Sequence, residues 1–366
     1  MAERKKAIQL AVTGVIAAAL IAAVGIGAWK GRTREQSPSE MLAEKGKQNE
    51  STPASAAVAA TAEKKELIPV RTQTFKSCSS TPWIVADQKG FMEKEGLKLV
   101  FTGELGTNQL LPSILNGNND VGTAQPNYIA VAKSGGARIT AVSRGQVEPA
   151  PELDPKLRHM RWYVNPKSGI KTFADLKNYK PKEKLKTNGT ENSCNTFLLN
   201  TLADKFGVGR DRFEWVVLST DVQGIQSVSQ GILDIVGVHP PYYKSADDAG
   251  LLQIADSADT QLGETAGASL YYFTEDFIKK NPETVEKFVR AMAAAQKWSN
   301  ENPDEAQKLT EAFIGVPVTG VHYYTTSTKT TEESLIPWIQ DLEKSGALQK
   351  GQIKPSDLIT HQFEQN

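Results

Sequence analysis

A repeat constrains the fold of this chain more than any other feature of its sequence. At an offset of 114 residues, Ser113, Gly117, Asp120, Pro126 and Tyr128 recur as Ser227, Gly231, Asp234, Pro240 and Tyr242. Apolar positions keep the same offset, with Leu111, Ile114 and Val121 answered by Ile225, Val228 and Ile235. Each copy reads as a helix, a glycine turn, a short buried strand and a second helix opened by proline. Such a period is too long for a solenoid and fits two similar lobes. At the strand-to-helix joint the copies differ, carrying Gln125 in the first and His239 in the second. Ligands of open parallel sheets bind outside the carboxyl ends of the strands, where helix N-termini offer free N–H groups. If the lobes face each other, these two joints are expected to line one cleft.

Around the repeat the chain alternates in an α/β rhythm. Residues 68–73 read as a strand, Pro82 opens a helical stretch reaching Glu95, and 97–102 read as a strand again. With 366 residues, 39% of them hydrophobic, there is material for two lobes that each bury a core. The 42 basic residues balance the 42 acidic ones, and beyond residue 67 the counts are 32 and 35. A body with no basic excess has no electrostatic footprint for nucleic acid, so an anion must be held by local groups. Only Cys78 and Cys194 are present, which excludes a disulfide scaffold or a cysteine-rich metal site. His159, His239, His322 and His361 have no metal-ligand spacing, so no metal or cofactor is expected.

The first 67 residues have a different character. Arg4, Lys5 and Lys6 precede an uncharged run over 7–28, with Lys30, Arg32 and Arg34 beyond it. The run matches the hydrocarbon thickness of a bilayer, and its leading basic residues favour an inside N-terminus. Small residues near Gly25 to Ala28 leave cleavage open. Residues 31–65 are polar and rich in Ala, Ser and Thr, a composition that cannot offset its ordering entropy and reads as a tether. The chain is therefore expected at the outer face of a bacterial cytoplasmic membrane or in the periplasm, anchored or secreted through 7–28.

Several segments of the body resemble the solute-binding proteins of ABC importers for aliphatic sulfonates, taurine and nitrate, within the superfamily of the thiamine-pyrimidine synthases. The resemblance rests on Trp83-Ile84-Val85-Ala86-Asp87-Gln88-Lys89-Gly90-Phe91 with Glu95-Gly96-Leu97, and on Leu115-Asn116-Gly117 with Asp120-Val121-Gly122. It continues through Ser168-Gly169-Ile170, Ala174-Asp175-Leu176, the segment 226–234 with Pro241-Tyr242, Asn281-Pro282-Glu283 and Asn302-Pro303-Asp304-Glu305-Ala306. It implies an α/β, two-lobed periplasmic-binding-protein fold of type II, each lobe a doubly wound sheet, joined by two hinge crossings. Its C-terminal helices would pack back onto the first lobe, and cleft closure would present the ligand to an ABC permease with its ATPase. The crossings are placed near 161–164 and 268–273. The resulting partition is a signal or anchor at 1–30, a tether at 31–67, lobe 1 at 68–160 with 272–366, and lobe 2 at 161–271, in a chain expected to be a monomer.

The candidate ligand groups follow. Ser79, Ser80 and Thr81 precede a Pro-initiated helix; one of them suffices as a cap, and the others with nearby N–H groups suit the oxygens of a sulfonate, nitrate or carboxylate. The resemblance carries Thr190, Asn192 and Ser193 into the equivalent loop of the second lobe, where Glu191 argues against a simple anion site. Arg144, after an apolar strand, suits bidentate oxyanion recognition, although a solvated strand-end Arg explains it as well. Gln125, Tyr128, His239 and Tyr242 come from the repeat joints. The chain is expected not to be an enzyme, since no nucleophile, base and orienting group are legible together. The competing readings are an enzyme on the same fold, as in the thiamine-pyrimidine synthases, and a tethered extracellular sensor.

Overall fold

The computed structural model describes residues 66–365 apart from 75, 77, 78, 107, 108, 191 and 192. The expected membrane run at 7–28, the tether up to residue 65, and the candidates Asn192 and Cys78 lie outside the described residues. Among the described residues no helix is long and apolar enough to cross a membrane.

In chain order the elements are β1 (Ile68–Thr72), α1 (Thr81–Gln88), α2 (Phe91–Lys94), β2 (Leu97–Phe101), α3 (Leu110–Leu115), β3 (Val121–Ala124), α4 (Pro126–Ser134) and β4 (Ile139–Arg144). The second lobe follows with β5 (Arg161–Val164), β6 (Leu185–Asn188), α5 (Cys194–Phe206), β7 (Phe213–Val216), α6 (Asp221–Ser229), β8 (Ile235–Val238), α7 (Tyr243–Asp248) and β9 (Leu252–Asp256). The chain then returns through β10 (Leu270–Thr274), α8 (Glu275–Lys280), α9 (Pro282–Glu301), α10 (Pro303–Ile314), α11 (Ile336–Ser345) and α12 (Pro355–Leu358). The stretch expected as one helix up to Glu95 breaks at Gly90, whose φ of 70° favours glycine, and restarts as α2.

The two lobes have matching sheets. In the second, the strand order is β7-β6-β8-β5-β9, with β5 antiparallel to both its neighbours. In the first, β10 runs antiparallel between β3 and β4, and the parallel pair β1-β2 lies beside β3. The contact between β1 and β3 is made by Asp120 N–H donating to the Arg71 carbonyl and by the Thr72 hydroxyl donating to Val121 O. The repeat thus aligns β3 with β8 residue for residue, and Gly117 and Gly231 turn with φ of 73° and 74°. The second copy begins its helix as a 3-10 turn over Pro240–Tyr242, with proline at its first two positions.

Side chains of β8 show why both faces of its sheet are covered. Ile235 packs with Trp162, Leu185 and the α5 residues Leu198 and Leu202, whereas Val236 and Val238 pack on the other face with Ile225, Val228 and Tyr243. A strand buried on both faces reads as a continuous apolar run, and Ile235–Val238 is one. In the first lobe α9 lays Val285, Phe288, Met292 and Ala295 into the core against Trp83, Tyr271 and Phe273.

Two expectations about the connections need correcting. The strands expected at the crossings form, but β5 and β10 lie inside their sheets because their side chains are almost wholly buried. The segments passing between the sheets are 145–160 and 257–269. The C-terminal helices also do not all belong to the first lobe. From α11, Trp338 stacks on Phe197 with ring centroids 3.9 Å apart and donates its indole N–H to Thr265 O, and Asp341 pairs with Arg210 at 2.7 Å. An aromatic ring and a buried carboxylate on α11 found partners in α5 and its surroundings, so this helix bridges the lobes.

Asp120 and Asp234, equivalent in the repeat, do the same local work. Asp120 accepts from Arg71 N at 2.8 Å and from its guanidinium at 2.5 and 3.0 Å; Asp234 accepts from Lys186 N at 2.9 Å and Lys180 Nζ at 2.8 Å. Asp120→Ala is expected to lower stability by about 2–3 kcal/mol, and Asp234→Ala by less because it accepts one side-chain bond from a lysine where Asp120 accepts two from a guanidinium. Urea unfolding midpoints of the two variants check the order.

Candidate functional site

A cavity lies near the carboxyl ends of β3 and β8; Gln125 of the first repeat joint lines it, while His239 of the second does not. It has a volume of about 820 Å³ and takes walls from both lobes: Gln73, Thr123, Gln125 and Tyr128 from the first, Thr220 and Tyr242 from the second. Gln125 holds the N-cap position of α4 in extended conformation; the helix opens with Pro126, which has no N–H, and the Tyr128 N–H donates to Asn127 Oδ1 at 2.9 Å, so the side chains carry the polar groups of this joint. Tyr128 and Tyr242 add aromatic surface. Of the other lining residues, Thr220 spends its hydroxyl capping α6 through Gln223 N–H.

The remaining sequence candidates are placed as follows. Ser79, Ser80, Thr81, Arg144, Thr190, Ser193 and His239 do not line this cleft. Thr81 is turned away, its buried hydroxyl 2.7 Å from that of Thr310 on α10. Ser80 is buried, but its side chain does not cap α1. Arg144 is buried rather than solvated, and its guanidinium pairs with Glu264 at 3.0 Å and donates to the Thr325 hydroxyl at 3.1 Å. Its charge is already matched. Ser193 caps α5 by accepting from Thr196 N–H, and its carbonyl accepts from Asn127 Nδ2 across the cleft at 3.2 Å. The Thr190 carbonyl accepts from the Thr196 hydroxyl. Lys76, the lysine at the cleft, pairs with Glu104 at 2.8 Å.

A second constellation was not visible in the sequence. Beside the joint at His239, four segments bring His159, His239, His322 and Cys194 together. The His159 ring stacks on His322 with centroids 4.8 Å apart and meets His239 edge-on at 5.7 Å. Cys194, a free thiol at the first turn of α5, places Sγ 3.5 Å from His239 Nε2. On the other side of that ring Nδ1 lies 2.8 Å from Asp221 Oδ2, which also accepts from His239 N. A carboxylate can only accept, so Nδ1 carries the proton and Nε2 turns its lone pair toward the thiol. Cys194, His239 and Asp221 thus stand in the order of a nucleophile, a base and its orienting group.

A polar lattice under the joint fixes these positions. Asn195 donates to Asn188 O at 2.6 Å and accepts from the Trp162 indole at 2.9 Å, while Asn188 accepts from Gly237 N and donates to Gly237 O. Gly237 is required here, since a Cβ would come within 2.5 Å of Asn195 Oδ1. The lattice ties α5, β5, β6 and β8 at the point where Cys194 and His239 emerge.

Burial sets the charges. His159 and His322 are 1% exposed, and none of their four ring nitrogens has a hydrogen-bond partner. Desolvation, with nearby His239 adding to it, lowers His159 to about 3; His322 is held well below the ordinary range by burial and by the other two rings. Both imidazoles are neutral near pH 7. Leaving such a nitrogen unsatisfied costs about 1–3 kcal/mol. Nearby, Glu148 is buried where the two crossings meet. Desolvation raises it to about 7, opposed by hydrogen bonds from the Ser257 hydroxyl and His159 N–H and by Arg158.

With this geometry in view, the sequence profile of the NMT1/THI5 like family matches residues 77–306. The chain belongs to that family. A Brucella abortus protein provisionally described as a binding protein is 24% identical over 272 residues, covering 72% of this chain and 77% of the relative. Among solved structures, the fold is similar to the periplasmic aliphatic sulphonate binding protein SsuA from Escherichia coli, with a TM-score of 0.62, 19% identity and coverage of 82% and 94% of the two chains. The periplasmic nitrate-binding protein NrtA from Synechocystis PCC 6803 gives a TM-score of 0.64 at 14% identity, covering 81% and 87%. The desulfurization enzyme DSZB shares the fold too, at a TM-score of 0.57 and 13% identity over 81% and 97%. The two-lobed periplasmic-binding-protein architecture is thus common to receptors and to an enzyme.

The opposed shifts of the buried groups have opposite signs in the pH dependence of stability. His159 and His322 lose stability as pH falls below about 6.5, because the unfolded chain takes up protons that the folded one refuses. Glu148 does the reverse, since its raised folded value makes the folded chain hold a proton longer, and stability is lost as pH rises from about 4.5 toward 7. Relative to the wild type, Glu148→Gln should therefore gain up to about 3 kcal/mol between pH 4.5 and pH 8. Urea unfolding at both pH values measures this double difference; an unchanged difference would remove the assignment.

Proposed function

We propose that this chain is an extracytoplasmic solute-binding receptor that closes its cleft on a small polar or anionic organic solute, of sulfonate, taurine or nitrate type, and presents it to an ABC permease with its ATPase. The observation that carries this reading is the cleft itself: two equivalent strand-to-helix joints, one from each lobe, contribute Gln125 with Tyr128 and Tyr242 to one cavity. The nearby cations Lys76 and Arg144 are both paired with carboxylates. An oxyanion would accordingly be held by neutral side-chain donors, namely Gln125, Thr123 and the Tyr128 hydroxyl. The run at 7–28 would hold the receptor at the membrane or carry it across, and a single copy of the fold suffices for capture.

An enzymatic reading is favoured by one observation, the alignment of Cys194, His239 and Asp221. Capture is preferred because Cys194 is buried and does not line the cleft where a substrate would rest. A tethered sensor would use the same cleft and is separated from a receptor by whether the permease is present.

Thermal-shift screening of the full chain against ethanesulfonate, taurine, nitrate and small carboxylates should find a ligand that raises the melting point, since only the folded state binds it. Calorimetry with that ligand should then show a loss of about 5- to 150-fold for Gln125→Ala and for Tyr128→Ala, the range for removing one buried hydrogen bond. Unchanged affinity in both variants would sink the cleft assignment.

A further inference from the structure

Three of the four histidines in the sequence meet in one buried cluster with a cysteine, and solute capture leaves that cluster without a role. We propose that Cys194, His159, His239 and His322 form a site for a zinc-class transition metal, with Asp221 as the positioning residue behind His239. One ligand atom each from His159, Cys194 and His239 already lies within 4.8 Å of the others. A tetrahedral ion with metal–nitrogen bonds of about 2.0–2.1 Å and a metal–sulfur bond of about 2.3 Å separates its ligand atoms by roughly 3.4–3.6 Å. The Cys194 Sγ to His239 Nε2 distance of 3.5 Å is such an edge, and a contraction of about 1 Å closes the rest.

Four further observations point the same way. The ring nitrogens of His159 and His322 have no hydrogen-bond partner, so turning either ring toward an ion breaks no bond. His322 stacks on His159 with centroids 4.8 Å apart and lies edge-on to His239 at 5.9 Å, which makes it the candidate for the fourth position. Asp221 accepts from His239 Nδ1 and leaves Nε2 as the coordinating atom, the carboxylate–histidine–metal arrangement that orients a ligand and raises its basicity. Finally, one thiolate with neutral imidazoles selects a borderline or soft ion, of the class of zinc, cobalt or copper, over magnesium or calcium. The cluster draws ligands from the second lobe, the first crossing and the C-terminal segment, so a bound ion would hold these three together whatever solute the cleft captures.

The test uses the full chain, purified in detergent, stripped with a chelator and carrying Cys78→Ser so that Cys194 is its one thiol. Titration with Co²⁺ alone should give one equivalent with intense visible ligand-field bands and a thiolate-to-cobalt charge-transfer band. Cys194→Ser should lose the charge-transfer band. His322→Gln should weaken binding, and Asp221→Asn should weaken Zn²⁺ competition about 10–100-fold, the range for removing a second-sphere partner. Equimolar Zn²⁺ should also protect Cys194 from alkylation by iodoacetamide. Circular dichroism and cooperative melting establish that each variant is folded, and if Cys194→Ser is not, His322→Gln and the protection assay decide. Cobalt bound without the charge-transfer band, equal affinity in the Asp221 and His322 variants, or alkylation of Cys194 at the same rate with and without Zn²⁺ would each overturn the site. The last of these would point instead to a thiol used as a nucleophile.

Discussion

Glu148 sits buried between the two crossings, accepting from His159 N–H on its own segment and from the Ser257 hydroxyl on the other. Around it the crossings are stitched side by side: Gly145 N donates to Ser269 O, and Ser269 N donates back to Gln146 O. Gly267 passes so close to Val147 and Glu148 that a Cβ there would meet backbone at 2.5 Å. The C-terminal segment joins from the other side, with Val147 N donating to Tyr323 O and Thr325 N to Gly145 O. Because a buried carboxylate and buried peptide groups must be satisfied, these three segments are fixed relative to one another. That bundle sets the distance between the lobes, the width of the cleft and the position of His322 beside His159.

The charges near the cleft are largely committed to this framework. Arg144 stands at the end of β4 where an oxyanion clamp was expected, yet Glu264 and Thr325, from the second crossing and the C-terminal segment, hold its guanidinium. Apart from the paired Lys76 and Glu104, what faces the cavity is neutral: two amides, hydroxyls, two tyrosines and apolar side chains. Such a surface discriminates by geometry and by the cost of leaving a buried donor unpaired more than by net charge. The same economy separates the cleft from the histidine cluster, where the ring nitrogens of His159 and His322 are buried without a hydrogen-bond partner.

Much of the fold was legible because it follows from local chemistry repeated twice. The strands β3 and β8, the glycine turns after α3 and α6, and the Pro-opened segments at Pro126 and Pro240 are consequences of apolar periodicity and of the restricted φ of proline and glycine. Gln125, Tyr128 and Tyr242 were found by that route, since a strand-to-helix joint faces the cleft by topology. Thr123 and Thr220 were missed, although Thr123 lies two residues before Gln125 on the same strand and so on the same side of the joint. The roles of Thr81 and Arg144 were not legible, because a hydroxyl or a guanidinium carries no local mark of which distant partner satisfies it. Nor was the bridging of the lobes by α11, which depends on Phe197 and Arg210 being opposite Trp338 and Asp341.

The sequence by itself determined the α/β rhythm, the duplicated unit and the positions of Gln125, Tyr128 and Tyr242 beside its strand-to-helix joints, since each depends on residue type at short or periodic spacing. Only the tertiary structure decided which charges were already paired, how the crossings interlock at Glu148, and that His159, Cys194, His239 and His322 converge from four segments. No spacing rule links those four positions. They meet because a helix and a strand end of the second lobe, a crossing and a C-terminal segment are packed to a common depth, and convergence of that kind is a property of the folded chain alone.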